Sequence, residues 1–192
     1  MAVMIVAQGM GPEPDSAPIP PSGGQAMRAM ITSDRPVYRQ RDPRWRAMRL
    51  GGSGESFDAT GCTVCAVSMA VADCGVDIPP DSMNERLKRV DGFTRHGYIR
   101  WDAIEQACDG RVRMIIPKNP DFEIIDKTLQ GGHSVIARIR LRNGLPHWVV
   151  ISGKTRFDYL IRDPLGATDH LDTLGGYGSP IMAIRIILPA EP

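Results

Sequence analysis

The stretch ATGCTVCAVSM, residues 59–69, places two cysteines three residues apart where a helical pattern begins. Cys62 directly follows Gly61 and falls in the first turn of the predicted helix. Free backbone amides and the positive end of the helix dipole stabilise a thiolate at that position. Cys65 lies one turn deeper and is predicted to be a small core residue. The pattern therefore predicts that Cys62 is a nucleophile and that Cys65 only packs.

A thiolate nucleophile usually needs a histidine to exchange its proton and a third group to orient that histidine. His147 opens the apolar run HWVVIS, where strand alternation places it on one face with two apolar residues. The other histidines adjoin glycine or polar residues and are predicted to lie at the surface or in turns: His96, His133 and His170. His147 is therefore the predicted partner of Cys62.

The candidate for the third group is Asp163, at the end of the next apolar run, FDYLIRDP. If the two runs form a hairpin with residues 154–156 as its loop, Asp163 lies opposite His147. Directly paired side chains have Cβ atoms about 5 Å apart, close enough for a carboxylate to fix an imidazole tautomer. A loop of another length would shift this pairing by one residue. An aspartate before proline is also a common turn arrangement, which is the structural alternative for Asp163.

Other readings of the cysteine pair remain open. Cysteine is among the most buried residue types, so Cys62 could be a structural thiol. A dithiol redox site would want a strand directly before it, whereas the chain has the glycine-rich stretch GGSGES. A zinc site needs two further ligands, and neither Cys108 nor any histidine offers a second paired motif. We therefore expect no metal and no cofactor.

The composition is that of a soluble globular protein, with 192 residues, 42% apolar and 23% charged. The net charge of +1 gives no reason to expect nucleic acid or an anionic membrane as a partner. Four cysteines are too few for a disulfide scaffold, which favours a reducing, cytoplasmic compartment. The first ten residues contain no Lys or Arg, and Gln8 and Gly9 interrupt their apolar run, so we expect no secretory signal.

The chain divides into an arm and one domain. Residues 11–24, GPEPDSAPIPPSGG, are rich in proline, glycine and serine and cannot bury enough apolar surface to order themselves. We therefore assign residues 1–34 to a flexible arm and residues 35–192 to the folded domain.

Within the domain, the helical pattern precedes the strand pattern. Helices are predicted at 62–74, at about 81–90 with Asp81 as the cap, and at 101–108 and 122–129. Strands are predicted at 112–116, 134–141, 147–152, 157–162 and 181–188. Because helices and strands are largely segregated along the chain, the predicted fold class is α+β.

Five stretches in this order resemble a known family: YRQRDPRW, TGCTVCAVSMAVADCGV, GFTRHGYIRWDAI, HWVVISG and IRDPLGA. They resemble papain-like cysteine peptidases and, more narrowly, the double-glycine (bacteriocin-leader) peptidase-like branch of bacteria and phages. The resemblance covers about residues 36–187 and implies a papain-like fold, with an N-terminal helical part packed on a C-terminal antiparallel sheet. It also implies a peptidase or amidase in which Cys62 attacks, His147 carries the proton and Asp163 orients the imidazole.

Papain-like enzymes use a glutamine a few residues before the cysteine as an oxyanion donor. The residue six positions before Cys62 is Ser56, which departs from that pattern. Gln40, in YRQRDPRW, is the nearest candidate, and the amide of Cys62 could supply the second donor. Because Gln40 lies between two arginines, it could instead belong to the solvated surface.

The resemblance implies a peptide or peptidoglycan substrate in a phage- or cell-wall-associated setting, such as a cross-bridge or a precursor protein. The alternative is a phage virion or secretion-apparatus component that keeps the fold with weak or no activity. In that reading the chain is virion-associated, and the arm binds phage structural proteins.

Overall fold

The computed structural model describes residues 17–31, 37–167 and 171–191. The helices are α1 (Phe57–Thr60), α2 (Cys62–Asp73), α3 (Pro80–Arg89), α4 (Ile104–Ala107), α5 (Phe122–Gln130) and α6 (Leu174–Tyr177), with a 3-10 turn at Trp101–Ala103. The strands are β1 (Ser22–Ile31), β2 (Val112–Ile115), β3 (Val135–Arg140), β4 (Pro146–Arg162), β5 (Asp172–Thr173) and β6 (Ala183–Pro189). The α+β prediction is confirmed.

One antiparallel sheet carries the fold. Its strand order is β1-β4-β3-β6-β2. The short strand β5 also pairs with β4 but is not part of this order. Alternation along the central strands divides the apolar residues between two cores. Trp148 and Val150 pack towards α2, whereas Val149 and Ile151 pack in the second core with residues of α5. The sheet therefore separates α2 from α5.

Helix α2 is buried on all sides. Every residue from 64 to 72 is buried, which fits a sequence of valine, alanine, cysteine and methionine interrupted by a single serine. A helix that is apolar all round is stable only inside a domain. The helix packs against β4 and leaves its N-terminal residue, Cys62, partly exposed.

Strand β4 is one element of 17 residues, where the sequence predicts two strands and a loop at 154–156. The prediction of an irregular loop is wrong, because β1 pairs with residues 153–158 and Lys154 is fully buried. The chain nevertheless reverses direction within β4. His147 and Asp163 are 16 positions apart, and an extended strand of that length would span about 50 Å, yet their side chains are in contact.

The N-terminal segment corrects the predicted boundary between arm and domain. Residues 22–31 form β1 at the edge of the sheet, and Ile19 is buried and bridges Ile181. The prediction of a flexible arm is therefore wrong for residues 17–31. The remainder of the predicted arm, residues 1–16 and 32–34, lies outside the described residues.

A buried charged cluster holds β1 to the rest of the domain. Lys154 Nζ lies 2.7 Å from Asp126 Oδ1, and the Tyr159 hydroxyl donates to the same oxygen at 2.9 Å. The amide of Gln25 in β1 donates to Asp126 Oδ2 at 2.8 Å. A Cβ on Gly24 would lie 2.5 Å from that oxygen, so only glycine allows this approach.

Across the described part of the chain, no helix is long and apolar enough to cross a membrane.

Candidate active site

Cys62 begins α2 because the helical hydrogen bonds are interrupted at Gly61, which separates α1 from α2. The close approach of Phe57 excludes a larger residue at Gly61, since a Cβ there would lie 2.6 Å from Phe57 Cδ1 and 2.7 Å from its carbonyl oxygen. The interruption places the Cys62 amide among the first N–H groups of α2, which have no acceptor within the helix. The thiol therefore lies at the positive end of the helix dipole.

His147 lies between Cys62 and Asp163. Its Nε2–H donates to Asp163 Oδ1 at 2.6 Å, which leaves Nδ1 as the nitrogen that can exchange a proton with Cys62. The Cys62 and His147 side chains are close enough that each shifts the pKa of the other. His147 is the second residue of β4, so its ring lies at the open end of the strand where α2 begins. The structure thus brings together three of the four predicted site residues.

The electrostatics distinguish Cys62 from the other thiols. Burial alone would raise the pKa of Cys62, but the hydrogen bond and positive charge of His147, together with the Trp148 amide, outweigh burial and lower it. Burial raises the pKa of Cys65 well above its usual value and that of Cys108 to about 11. Of these three thiols, Cys62 alone has the lowered pKa expected of a nucleophile.

His147 and Asp163 are both nearly inaccessible to solvent, at 1% and 4% exposure. Burial opposes the charged imidazole, but the bonds and charges of Asp163 and Cys62 together raise the pKa of His147 to about 9. Burial likewise opposes the Asp163 carboxylate, and His147, Tyr177 and the Leu165 amide outweigh it, so the pKa of Asp163 is lowered. These shifts favour a thiolate–imidazolium pair with a carboxylate behind it.

The carboxylate is held from the far side by groups that the sequence did not reveal. The Tyr177 hydroxyl donates to Asp163 Oδ2, and the Leu165 amide donates to Oδ1 at 2.8 Å. Tyr177 ends α6, whose first turn is capped by the Thr173 hydroxyl, which accepts from Gly176 N. Tyr177 stands in the stretch LGGYGS, which has neither helical nor strand periodicity. The sequence therefore gives no pattern from which its contact with Asp163 could be predicted.

Gln40 is buried beside the site, at 3% exposure, and is not a solvated surface residue. Its Nε2 donates to the Asp58 carbonyl at 3.0 Å, and its own amide donates to the Pro164 carbonyl at 3.1 Å. The Asp58 carbonyl is the acceptor that an unbroken helix would offer to the Cys62 amide. Nε2 carries a second hydrogen besides the one donated to Asp58. Ser56, the position expected for the glutamine, precedes α1 in extended conformation.

Trp148, the residue after His147, packs against a second tryptophan ring and an arginine guanidinium. The Trp101 and Trp148 ring centroids lie 4.9 Å apart, and the Arg185 guanidinium lies 5.1 Å and 5.6 Å from the two rings. Because the Trp148 backbone helps to lower the pKa of Cys62, packing that fixes Trp148 also supports the thiolate.

Two of the remaining histidines, His96 and His133, do not join the site. His96 is exposed and accepts from Arg95 Nε at 3.0 Å, and His133 follows α5. His170 lies outside the described residues. Within 17–31, 37–167 and 171–191, no group of three or more His, Cys, Asp or Glu side chains is arranged to hold a metal ion.

Comparison with known proteins adds evidence at the level of the fold. No family model matches the chain, and no curated protein matches it. A solved structure does match, the "Crystal structure of an putative C39-like peptidase from Bacillus anthracis", with a TM-score of 0.56 and 16% identity. The match covers 86% of this chain and 100% of the other. The chain therefore has an α+β fold of the papain-like type, similar to that of a C39-like peptidase.

Proposed function

We propose that this protein is a cysteine peptidase or amidase that cleaves an amide bond through a Cys62 acyl-enzyme. The observation that supports it most directly is the contact chain from Cys62 to His147 to Asp163, with a lowered pKa at the thiol and a pKa of about 9 at the imidazole. The likeness of the fold to a C39-like peptidase supports the same class of reaction.

In the acylation step, the Cys62 thiolate attacks the carbonyl carbon of the substrate amide and the C–S bond forms. The negative charge that develops on the carbonyl oxygen is stabilised by the Cys62 amide and by the second Nε2 hydrogen of Gln40. His147, as imidazolium, gives its Nδ1 proton to the departing nitrogen as the C–N bond breaks. Asp163 keeps the imidazole oriented during this transfer.

In the deacylation step, neutral His147 takes a proton from water, and the resulting hydroxide attacks the thioester. The C–S bond breaks, the carboxylic acid leaves and the thiolate–imidazolium pair is restored. Besides substrate and one water molecule, these steps use only side chains and backbone amides of this chain, in the roles proposed above.

For the substrate, we propose a peptide-type amide, including the isopeptide bonds of peptidoglycan. The phage- or cell-wall-associated setting rests on the resemblance of the five sequence motifs and stays a prediction. Purified sacculi and glycine-rich peptides, assayed side by side, distinguish a wall substrate from a precursor protein or leader peptide.

The decisive experiment is labelling with an electrophilic thiol probe such as iodoacetamide, followed by peptide mass mapping. We expect Cys62 to be alkylated fastest at neutral pH, and His147→Ala to slow its labelling. Cys62→Ala is expected to abolish amide hydrolysis while Cys65→Ala retains it. Faster labelling of Cys65 or Cys108 would refute the assignment.

A negative hydrolysis result also has a defined meaning. If Cys62 reacts fastest with the probe but the protein turns over none of these substrates, the reading as a structural component that retains the fold gains support. Recovery of the chain in stoichiometric amounts from a purified particle would then establish it.

A further inference from the structure

Two thiols with opposite environments share the first turn of α2. Cys62 is partly exposed, whereas Cys65 is fully buried. The pKa of Cys62 is lowered, while burial, followed by the charges of Cys62 and Asp42, raises the pKa of Cys65. Because the charge of Cys62 acts on Cys65, the two sulfurs lie within electrostatic reach of each other. The turn thus pairs a reactive thiolate with a thiol that bulk solvent does not reach.

Helix geometry brings these two residues close enough for a disulfide. Residues three apart in an α-helix have Cα atoms about 5 Å apart, inside the range of about 4.4–6.8 Å that disulfides span. Their Cβ atoms lie about 5–6 Å apart and a disulfide needs about 4 Å, so the turn must tighten by about 1–2 Å. This turn is the first of α2, closed by the bond from the Cys65 amide to the Gly61 carbonyl at 3.1 Å. Tighter 3-10 turns, in which such side chains eclipse, are frequent at helix ends.

The third thiol of α2 is too distant to compete. Cys74 caps the C-terminus of the helix. At a rise of 1.5 Å per residue, it lies about 18 Å along the axis from Cys62 and about 14 Å from Cys65. A disulfide cannot join Cα atoms more than about 7 Å apart without backbone movement. Cys65 is therefore the partner that α2 offers to Cys62.

A hydroperoxide is the class of oxidant that this arrangement fits, since susceptibility follows thiolate character and exposure. The Cys62 thiolate attacks one oxygen of hydrogen peroxide, so the S–O bond forms and the O–O bond breaks. The departing hydroxide takes the imidazolium proton of His147 and leaves as water. Cys62 is then a neutral sulfenic acid, and it no longer places a negative charge beside Cys65.

The second step closes the disulfide. The Cys65 sulfur attacks the sulfenyl sulfur of Cys62, the S–S bond forms and the S–O bond breaks. The proton of Cys65 leaves with the hydroxyl group as a second water. Two thiols and one hydrogen peroxide thus become one disulfide and two waters. While it is bonded to Cys65, Cys62 cannot attack a carbonyl carbon.

We infer that Cys62 and Cys65 form a reversible disulfide in the presence of peroxide, and that Cys65 protects the nucleophile from irreversible oxidation. Without a resolving thiol, a sulfenic acid is oxidised further to sulfinic and sulfonic acids. The disulfide instead switches the site off and preserves it until a thiol reductant restores both cysteines. As a switch of hydrolysis, the inference rests on the proposed function.

Proteolysis before aspartate isolates the pair for mass spectrometry. It releases residues 58–72, DATGCTVCAVSMAVA, which contain Cys62 and Cys65 but not Cys74. The reduced full chain is treated with hydrogen peroxide, remaining thiols are blocked with iodoacetamide in denaturant, and the chain is digested. We expect this peptide to be unalkylated and two hydrogen atoms lighter than its reduced form. Dithiothreitol, added before the blocking step, should return both cysteines to the alkylated form.

Cys65→Ala tests protection, and Cys74→Ala is its matched control in the same helix. In Cys65→Ala, we expect dimedone to trap the sulfenic acid on Cys62. Without dimedone, Cys62 should gain two or three oxygen atoms, which fragment ions distinguish from oxidation of Met69. Recovery of Cys62 alkylation by dithiothreitol should fall to about a tenth of the wild-type value or less, because these acids form irreversibly. Cys74→Ala should recover as the wild type does.

The wild-type chain alone can overturn the inference. If Cys62 is alkylated fastest but peroxide leaves it overoxidised, or joins it to Cys74 or Cys108, the switch is wrong and the proposed function stands. Equal recovery of Cys65→Ala and wild type would also overturn the protective role. If the disulfide forms but Cys62→Ala still hydrolyses amides, the proposed function falls, and the disulfide then regulates no hydrolysis at Cys62.

Discussion

The Cys62 thiolate and the His147 imidazolium stabilise each other, and their pKa shifts define a pH window for activity. Because the pKa of Cys62 is lowered, the thiolate forms below the usual thiol range as pH rises. Because the pKa of His147 is about 9, the imidazolium is lost only as pH rises through that value. We expect kcat/KM for an amide substrate to follow a bell-shaped profile with an alkaline limb near pH 9.

Absorbance of the thiolate at low ultraviolet wavelengths checks the acidic limb independently of turnover. Cys62→Ser should remove the low-pKa component of this titration, and Cys65→Ser should leave it in place. A titration that follows Cys65 would contradict the assignment.

Gln40 is expected to act on the transition state and not on the thiolate. Gln40→Ala removes the proposed oxyanion donor, and loss of one such donor typically reduces kcat by about 100- to 1,000-fold. Alkylation by iodoacetamide develops no oxyanion, so the rate of Cys62 labelling should change little. A loss of labelling parallel to the loss of turnover would show that Gln40 acts by maintaining the local structure instead.

We expect Tyr177 to be a positioning residue, because its hydroxyl holds Asp163 and would affect proton transfer only through Asp163 and His147. Tyr177→Phe removes a hydrogen bond to a buried carboxylate, and we expect kcat to fall by about tenfold. The pKa of Asp163 should rise and that of His147 should fall, which moves the alkaline limb of the pH profile to lower pH. Tyr98→Phe, at another half-buried tyrosine, serves as the control.

At the scale of elements, the junction of α1 and α2 determines where the nucleophile lies. Gly61→Ala places a Cβ 2.6 Å from the Phe57 ring, so one of the two helices must shift. We expect the free energy of unfolding to fall by about 1–3 kcal/mol, as in other overpacked sites. Chemical denaturation measures the change. Gly52→Ala is the control, since a Cβ there contacts nothing within 4 Å.

Sequence patterns predicted the elements whose stability comes from their own periodicity. The bounds of α2, β3 and β6 lie within a few residues of those predicted from the sequence. Strand β1 was missed because SGGQAMRAMI contains two glycines and a single β-branched residue, its terminal isoleucine. It is stabilised by pairing with residues 153–158, a long-range contact that no local pattern encodes.

The same distinction applies to the residues of the site. Cys62 was identifiable from its helix-start position, and His147 and Asp163 from the lengths of two consecutive apolar runs. The wrong assignment of residues 154–156 to a loop did not affect this pairing, because the chain still reverses between the two residues. Tyr177 was missed because its role depends on a four-residue helix that folds against Asp163 only in three dimensions.

At the scale of the whole molecule, β1 and its charged cluster complete the second core. Deletion of residues 1–31 exposes the edge of β4 and removes the Gln25 amide from Asp126. Because this also opens the buried Lys154–Asp126 pair to solvent, we expect a loss of about 3 kcal/mol or more in unfolding free energy. Deletion of residues 1–16, which removes no described residue, is the control. Equal stability of the two truncations would contradict the role of β1.

Strand β6 is the last strand of the described chain, yet it lies between β3 and β2 in the sheet. During synthesis, Cys62 leaves the ribosome long before residues 183–189, and the sheet cannot close until those residues arrive. Because a domain generally folds as a unit, the His147 imidazole and the Asp163 carboxylate have no fixed positions in the nascent chain until then. The order of strands thus delays assembly of the candidate site until residues 183–189 have been made.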